Sequence, residues 1–358
     1  MTIDHSVTTK PAARRFIGHL AFAAAMLSAT MLTAISPANA QANIDEIAAA
    51  AANEGALTIY TSSVDSETQA YVNAFNQLYP NITVSWIRLT SATLFSRFVG
   101  EVEANAPQAD IIASGSSLIM QERPELFVDI AAAGLPNDND RIQIEPRTPS
   151  YVVVSVAPHV VTYNNTMVSE ADVAAHMQNW QDFADPFWQG KISILDPMAT
   201  TNYMSWYKVM RDEYGDEYLT GLAANSVGFA SSGAPASQQA AAGAFAVAFP
   251  TTISHSAEVR SAGAPISIGR PEGPAHAVEA SIGIPANAPH PNAALLWANF
   301  MMSDEAQSVI CGFGGSVPVV SGVGGPDCPT LSPNHVGSID VIPEAEQAEI
   351  LSLLGISQ

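Results

Sequence analysis

The stretch LTIYTSSVDSETQAYVNAF, residues 57–75, most constrains what this chain can fold into. Leu57 to Tyr60 is a short apolar run suited to a buried parallel strand. Tyr71, Val72, Phe75, Leu78 and Tyr79 then recur at helical spacing until Pro80 stops them. The unit repeats in style. Asn81 to Arg88 alternates apolar and polar, with Ile82, Val84 and Trp86 on one face. Leu94, Phe98 and Val102 keep helical spacing, and Ala109 to Ala113 reads as a strand. This β-α-β-α-β order predicts an α/β fold, a doubly wound sheet with right-handed crossovers. The second half follows suit: strand Ile192 to Leu195, a helix around Met204 to Tyr214, strand Val227 to Ala230, a helix across the Ala-rich 237–243, and strand Ala244 to Phe249. No internal sequence repeat accompanies this.

Two extended segments, Tyr151 to Tyr163 and His276 to Ile284, are long enough to run from one half into the other. If both cross, the halves are discontinuous lobes joined by a two-strand hinge that permits closure on a ligand. Otherwise they are ordinary sheet strands. The expected division is a leader at 1–40, lobe 1 at 43–150 plus 264–310, lobe 2 at 151–263, and a C-terminal segment at 311–358 with a disulfide and a terminal helix.

The leader has Lys10, Arg14 and Arg15, an apolar run from Phe16 to Ile35 and small residues at Ala38-Asn39-Ala40, the pattern of a cleaved export signal. Arg14-Arg15-Phe16 leaves the Sec and twin-arginine routes both open. The expected location is periplasmic. Without three basic and one acidic leader residue, the other 318 residues carry a net charge of −23, which opposes a nucleic-acid groove and adsorption to anionic lipid. Cys311 and Cys328 then lie in an oxidising compartment, where a disulfide is expected. It closes the glycine-rich GFGGSVPVVSGVGGPD, a loop worth about 3 kcal/mol in chain entropy.

In open α/β sheets, ligands sit at the carboxyl ends of strands, where the next helix presents unpaired N–H groups. Six such ends carry short hydroxyl or amide residues: Thr61, Ser62 and Ser63; Thr90 and Ser91; Ser114, Ser116 and Ser117; Thr200, Thr201 and Asn202; Ser231 and Ser232; Thr251 and Thr252. Each can equally be a helix N-cap. Together they point to a shared polar cleft whose neutral donors suit a ligand bearing oxyanions.

LTIYTSS, RLTSATLFSRFVGEVEANAPQADII, FADPFWQGKISILDP and GIPANAPHPNAALLWANFMMSDEAQSVI together resemble the periplasmic solute-binding proteins of ABC transporters, in the group with ferric-ion, phosphonate and sugar-phosphate binders. The similarity runs over about residues 54–320. It implies a type II periplasmic-binding-protein fold: two lobes, a small-molecule solute captured by closure, delivery to an inner-membrane ABC permease, no catalysis and no cofactor. A monomer is expected, and a membrane sensor in place of a permease stays open.

Ferric binders of this group offer a tyrosine pair after the last strand of lobe 2. Here Phe249-Pro250-Thr251-Thr252 stands there, and Ser62-Ser63 replaces a first-lobe histidine. That departure moves the expectation to organic anions, with ferric ion as the alternative and no metal site among the expected residues. Tyr203, Trp206 and Phe249 are candidates for stacking on a ring, or for core. Asp196, Arg88 and His255 are weaker candidates, and His159 carries no assignment. A serine hydrolase is the rival class, since Ser205-Trp206-Tyr207-Lys208 matches S-x-x-K, but S-D-N and K-T-G are absent.

Overall fold

The computed structural model describes residues 42–312, 315–324 and 328–356; the proposed leader, 1–40, lies outside the described residues. Asn43 caps α1 (Ile44–Glu54), and Gly55, at φ 70°, ends it with the left-handed turn that glycine permits. β1 (Ala56–Thr61), α2 (Asp65–Leu78), β2 (Thr83–Arg88), α3 (Ser91–Glu103), β3 (Ile111–Ser114) and α4 (Leu118–Glu122) follow. An irregular stretch leads to β4 (Val152–Pro158) and β5 (Val160–Asn164). Next come α5 (Glu170–His176), β6 (Ile192–Leu195), α6 (Thr201–Tyr214), α7 (Asp216–Asn225), β7 (Ser226–Ala230), α8 (Gly233–Ala241), β8 (Val247–Thr251), α9 (Ile253–Ser261) and β9 (Ile266–Gly269). The chain ends with β10 (Ala275–Gly283), α10 (Pro291–Met301), α11 (Asp304–Gly312), β11 (Val317–Pro318), β12 (His335–Val336) and α12 (Glu344–Leu353).

Two sheets result. The first runs β11-β4-β10-β3-β1-β2, with β12 paired to β10; the second runs β7-β6-β8-β5-β9. In each, the first strand is parallel to its neighbours on both sides, β1 between β2 and β3, β6 between β7 and β8. Strand order therefore reverses at the β1/β3 and β6/β8 junctions, the switch points outside which open α/β sheets bind ligands. Beyond each triplet lies an antiparallel strand that has just arrived from the other lobe, β10 beside β3 and β5 beside β8.

Before the C-terminal segment, the lobes are joined at two crossings. The extended run at 151–163 splits at His159, because β4 pairs with β10 in the first sheet while β5 pairs with β8 and β9 in the second. The return lies at 270–274, since β9 still pairs with β5. The lobe limits drawn from sequence, 151 and 264, therefore fall several residues before the places where the backbone changes sheet. The C-terminal segment is shared: β11 extends the first sheet, while Ile342, Ile350, Leu351 and Leu354 pack into the core of the second lobe.

Lobe 1 has an apolar layer on each face of its sheet, one around Phe75, Trp297 and Phe300, the other around Tyr60, Phe98 and Phe127. Lobe 2 is built around Trp180, Phe183, Trp188, Trp206 and Phe249. The HPNAA stretch at 290–294 anchors α10. Glu54 accepts from the Asn292 N–H (3.1 Å), Asn292 Nδ2 (2.7 Å) and the Ala293 N–H (2.8 Å), filling the exposed donors of that helix start with a carboxylate.

Cys311 and Cys328 form a disulfide across a 17-residue separation. Replacing both with serine is expected to lower the unfolding free energy by about 3 kcal/mol, read from denaturant melts of the double variant against the parent protein. Equal midpoints would show that the loop is held by its other contacts.

Candidate functional site at the carboxyl ends of the strands

In lobe 1 the strand ends are wired to one another. The Thr61 Oγ1 accepts the Ser63 N–H (3.0 Å), and the Ser62 Oγ accepts the Gly115 N–H (3.0 Å). The Ser114 Oγ donates to the Ser91 Oγ (2.8 Å) and accepts the Ser116 N–H (3.1 Å). Hydroxyls following β1, β2 and β3 thus form one cluster at the β1/β3 switch point. Ser62, Ser63 and Ser91 keep part of their surface open, whereas Thr61 and Ser114 are buried. Ser116 and Ser117 are used otherwise. Their hydroxyls donate to the two oxygens of Asp340, each at 3.0 Å, and Gln121 Nε2 joins at 2.9 Å. Burial raises the Asp340 pKa, and the serine hydroxyls oppose that rise.

A cavity of about 40 Å³ lies behind this cluster, lined by Thr61, Ser63, Glu67, Tyr71, Trp297 and Met301. That is room for a few waters and no more. Burial pushes Glu67 up, while Ser63 and Tyr71 beside it favour its charge.

In lobe 2, Thr200 caps α6 by accepting the Tyr203 N–H (3.3 Å), and Thr201 is exposed beside it. Ser231 is exposed and Ser232 half-buried at the start of α8. The Tyr203 hydroxyl accepts the Gly233 N–H (3.2 Å), and the Thr252 N–H donates to His255 Nδ1 (3.0 Å) at the start of α9. Gly233 and His255 are in such close approach that a Cβ at 233 would lie 2.0 Å from Nδ1, so only glycine fits. The starts of α6, α8 and α9 are thereby packed together. Thr251 points away from them, bonded to Thr162 Oγ1 (2.8 Å) and the Val160 carbonyl (3.1 Å) inside the sheet. Phe249 and Trp206 are completely buried in the lobe 2 core, and Tyr203 is nearly so. Asp196 caps its own turn by accepting the Met198 N–H (2.8 Å), and Arg88 is exposed.

One contact joins the two sets of strand ends. Asn202 Nδ2, in the first turn of α6, donates to the Gly115 carbonyl (3.1 Å), while the Ser338 hydroxyl donates to the Asn202 Oδ1. A Cβ built on Gly115 would lie 3.9 Å from Asn202 Nδ2 and 4.0 Å from Ser62 Oγ. Of the residues anticipated from sequence, Ser62, Ser91, Ser114 and Asn202 are therefore drawn together. Ser116, Thr251 and Phe249 are engaged inside the protein. Sequence reasoning had no sign of Ser338 and Asp340, because nothing local announces contacts made across more than 130 residues.

The S-x-x-K stretch does not form a nucleophile and base. Ser205 is fully buried, bonded to His276 Nε2 (2.7 Å), and Lys208 pairs instead with Asp212 (3.0 Å) and Glu346 (2.6 Å). Among the described residues no group of three or more His, Cys, Asp or Glu is placed to hold a metal ion, and no helix is long and apolar enough to cross a membrane.

Two lobes of matching strand order, joined by the strands of the hinge and turning their switch points toward one another, make this a type II periplasmic-binding-protein fold. The chain belongs to the bacterial extracellular solute-binding protein family, which it matches over residues 60–308. Family and fold are those of transport binding proteins.

Among solved structures, the substrate-binding protein of an ABC transporter from Agrobacterium tumefaciens is similar at a TM-score of 0.68 and 16% identity, over 85% of this chain and 96% of that one. Iron-bound HitA from Pseudomonas aeruginosa gives 0.63 and 18%, over 84% and 98%. AfuA from Actinobacillus pleuropneumoniae, with fructose-6-phosphate bound, gives 0.58 and 21%, over 84% and 97%. At such identities the likeness is one of fold.

Proposed function

We propose that this protein acts in the periplasm as a monomer, capturing a small anionic organic solute between its lobes and delivering it to an inner-membrane ABC permease. Phosphonates, phosphorylated sugars and carboxylates are the solute classes in view. The reading is carried by the Asn202 to Gly115 contact, which joins a strand end of one lobe to a strand end of the other. A solute held from both sides favours the closed form by the extra contacts it makes there. Neutral hydroxyls and helix-start amides can hold an oxyanion without a buried cation.

The ferric-ion alternative needs phenolates. The hydroxyl of Tyr203 accepts from Gly233, and that of Tyr207 donates to the Leu195 carbonyl (2.6 Å). Burial raises both pKa values, which opposes the phenolate form. A thermal-shift panel of phosphonates, sugar phosphates and ferric citrate separates the two readings. A stabilisation confined to ferric citrate would favour iron.

Replacing Ser62 and Ser231 together with alanine is expected to weaken solute binding by several-fold to a few hundred-fold, since a hydrogen bond to a charged group contributes about 1.5–3 kcal/mol. Calorimetric affinity unchanged in that double variant refutes the assignment of these loops.

A further inference from the structure

A chain of buried hydrogen bonds at the hinge leaves one donor open. Ser205 is fully buried, and its Oγ accepts the Ile339 N–H at 2.8 Å. Its own hydrogen has one acceptor within reach, His276 Nε2 at 2.7 Å. A neutral His276 that accepts at Nε2 carries its hydrogen on Nδ1, and Nδ1 faces His159 Nδ1 at 2.9 Å across parallel rings 5.0 Å apart. His159 must then accept at Nδ1 and carry its hydrogen on Nε2. The reverse tautomers would strand the Ser205 hydroxyl hydrogen as well, one more unpaired buried group. His159 is itself buried, and among the described residues its Nε2 has no partner. Buried donors are normally met by protein, water or ligand.

The open donor lies beside the candidate site. His159 is the residue at which the chain passes from β4 to β5. Its ring is 6.3 Å from that of Tyr203, which holds the first amide of α8. His255, at the start of α9, is near enough to act on it electrostatically. Because His255 Nδ1 accepts the Thr252 N–H, a neutral His255 also carries its hydrogen on Nε2. Two imidazole N–H groups therefore sit among the starts of α6, α8 and α9. Burial holds both rings neutral: His159 is pushed well below the usual histidine range and His255 down to about 4.

We infer that His159, oriented by His276 and Ser205, donates its Nε2–H to an anionic oxygen of the solute at the floor of the gap, with His255 as a second donor, and so selects oxyanion-bearing solutes over amines. This rests on the proposed capture of an anionic solute. The ionised oxygens of carboxylates, phosphonates and phosphate monoesters accept without donating and match two fixed N–H groups. An ammonium would set donor against donor. Ser205 and His276 are positioning residues, acting through the tautomer they impose.

The test uses the full chain labelled with ¹⁵N, with imidazole tautomers read by long-range ¹H–¹⁵N correlation at neutral pH. The expected result is Nε2–H for His159 and His255, and Nδ1–H for His276. Titration with methylphosphonate, glucose 6-phosphate or citrate should move the His159 Nε2 resonance along the calorimetric binding curve. His159→Phe, which keeps a ring but no donor, should weaken that binding about tenfold to a hundredfold. His159→Gln, which returns an N–H, should recover part of it. A His159 with hydrogen on Nδ1, or a probe that saturates the protein without moving His159, overturns the inference and leaves solute capture standing. Failure of all three probes to bind the parent protein removes the anionic-solute reading, and this inference with it.

Discussion

Replacing Phe249 with alanine is expected to lower the unfolding free energy by about 3–5 kcal/mol, among the largest single-residue losses available in lobe 2. The ring has no exposed surface, and its centroid lies 4.6 Å from Phe183, 5.7 Å from Trp206 and 5.9 Å from Trp180. Those three neighbours are large aromatics in a closely packed layer, so they collapse poorly into the space left behind. Urea unfolding measures the loss. The same variant decides whether Phe249 faces the solute. A ring that stacked on the ligand would, when removed, cost affinity and leave the urea midpoint nearly in place.

The second large effect concerns Asp110, where alanine is expected to cost about 3–5 kcal/mol. This carboxylate is fully buried and accepts three hydrogen bonds: from the Thr58 N–H (2.7 Å), the His290 N–H (2.7 Å) and the His290 Nδ1 (2.9 Å). It ties β1 to the residue before α10. Removing it leaves three donors without their charged acceptor, and a hydrogen bond to a carboxylate is worth more than an average one. Asp110→Asn keeps one acceptor oxygen and should fall between alanine and the parent protein. A denaturant midpoint for Asp110→Ala equal to the parent's would show that the HPNAA turn is held by Glu54 alone.

Much of the fold was legible because strand and helix periodicities are local. LTIY followed by Tyr71, Val72 and Phe75 at helical spacing became β1 and α2, and the second lobe's first strand, Ile192 to Leu195, stands as read. The extended run from Tyr151 hid its own break. Val152 to Val156 are buried, as are Val160 and Val161, so the apolar pattern resumes past Pro158-His159 and does not tell a change of sheet from an irregularity in one strand. Phe249 was ambiguous for a related reason. All five residues of β8 are buried, and a strand covered on both faces has no alternation to say which side chain looks toward a ligand.

The hydroxyl residues were legible as a set and ambiguous one by one. Thr200 is a helix cap, Ser62 joins two strand ends, and Ser116 and Ser117 hold a carboxylate 223 or 224 residues away. The donor chemistry is the same in each case, so residue type alone does not separate capping from bridging or anchoring.

From the order of its residues alone this chain is an α/β protein with hydroxyl-rich strand ends and a cysteine pair, since turn chemistry and hydrophobic period act over a few residues. Which strand ends face one another, that Asp340 occupies two serines, and that His159 Nε2 is left without a partner among the described residues were decided only by the tertiary structure. Those outcomes depend on contacts between segments 70 to more than 220 residues apart, whose pairing follows from how two lobes share a chain that passes repeatedly between them.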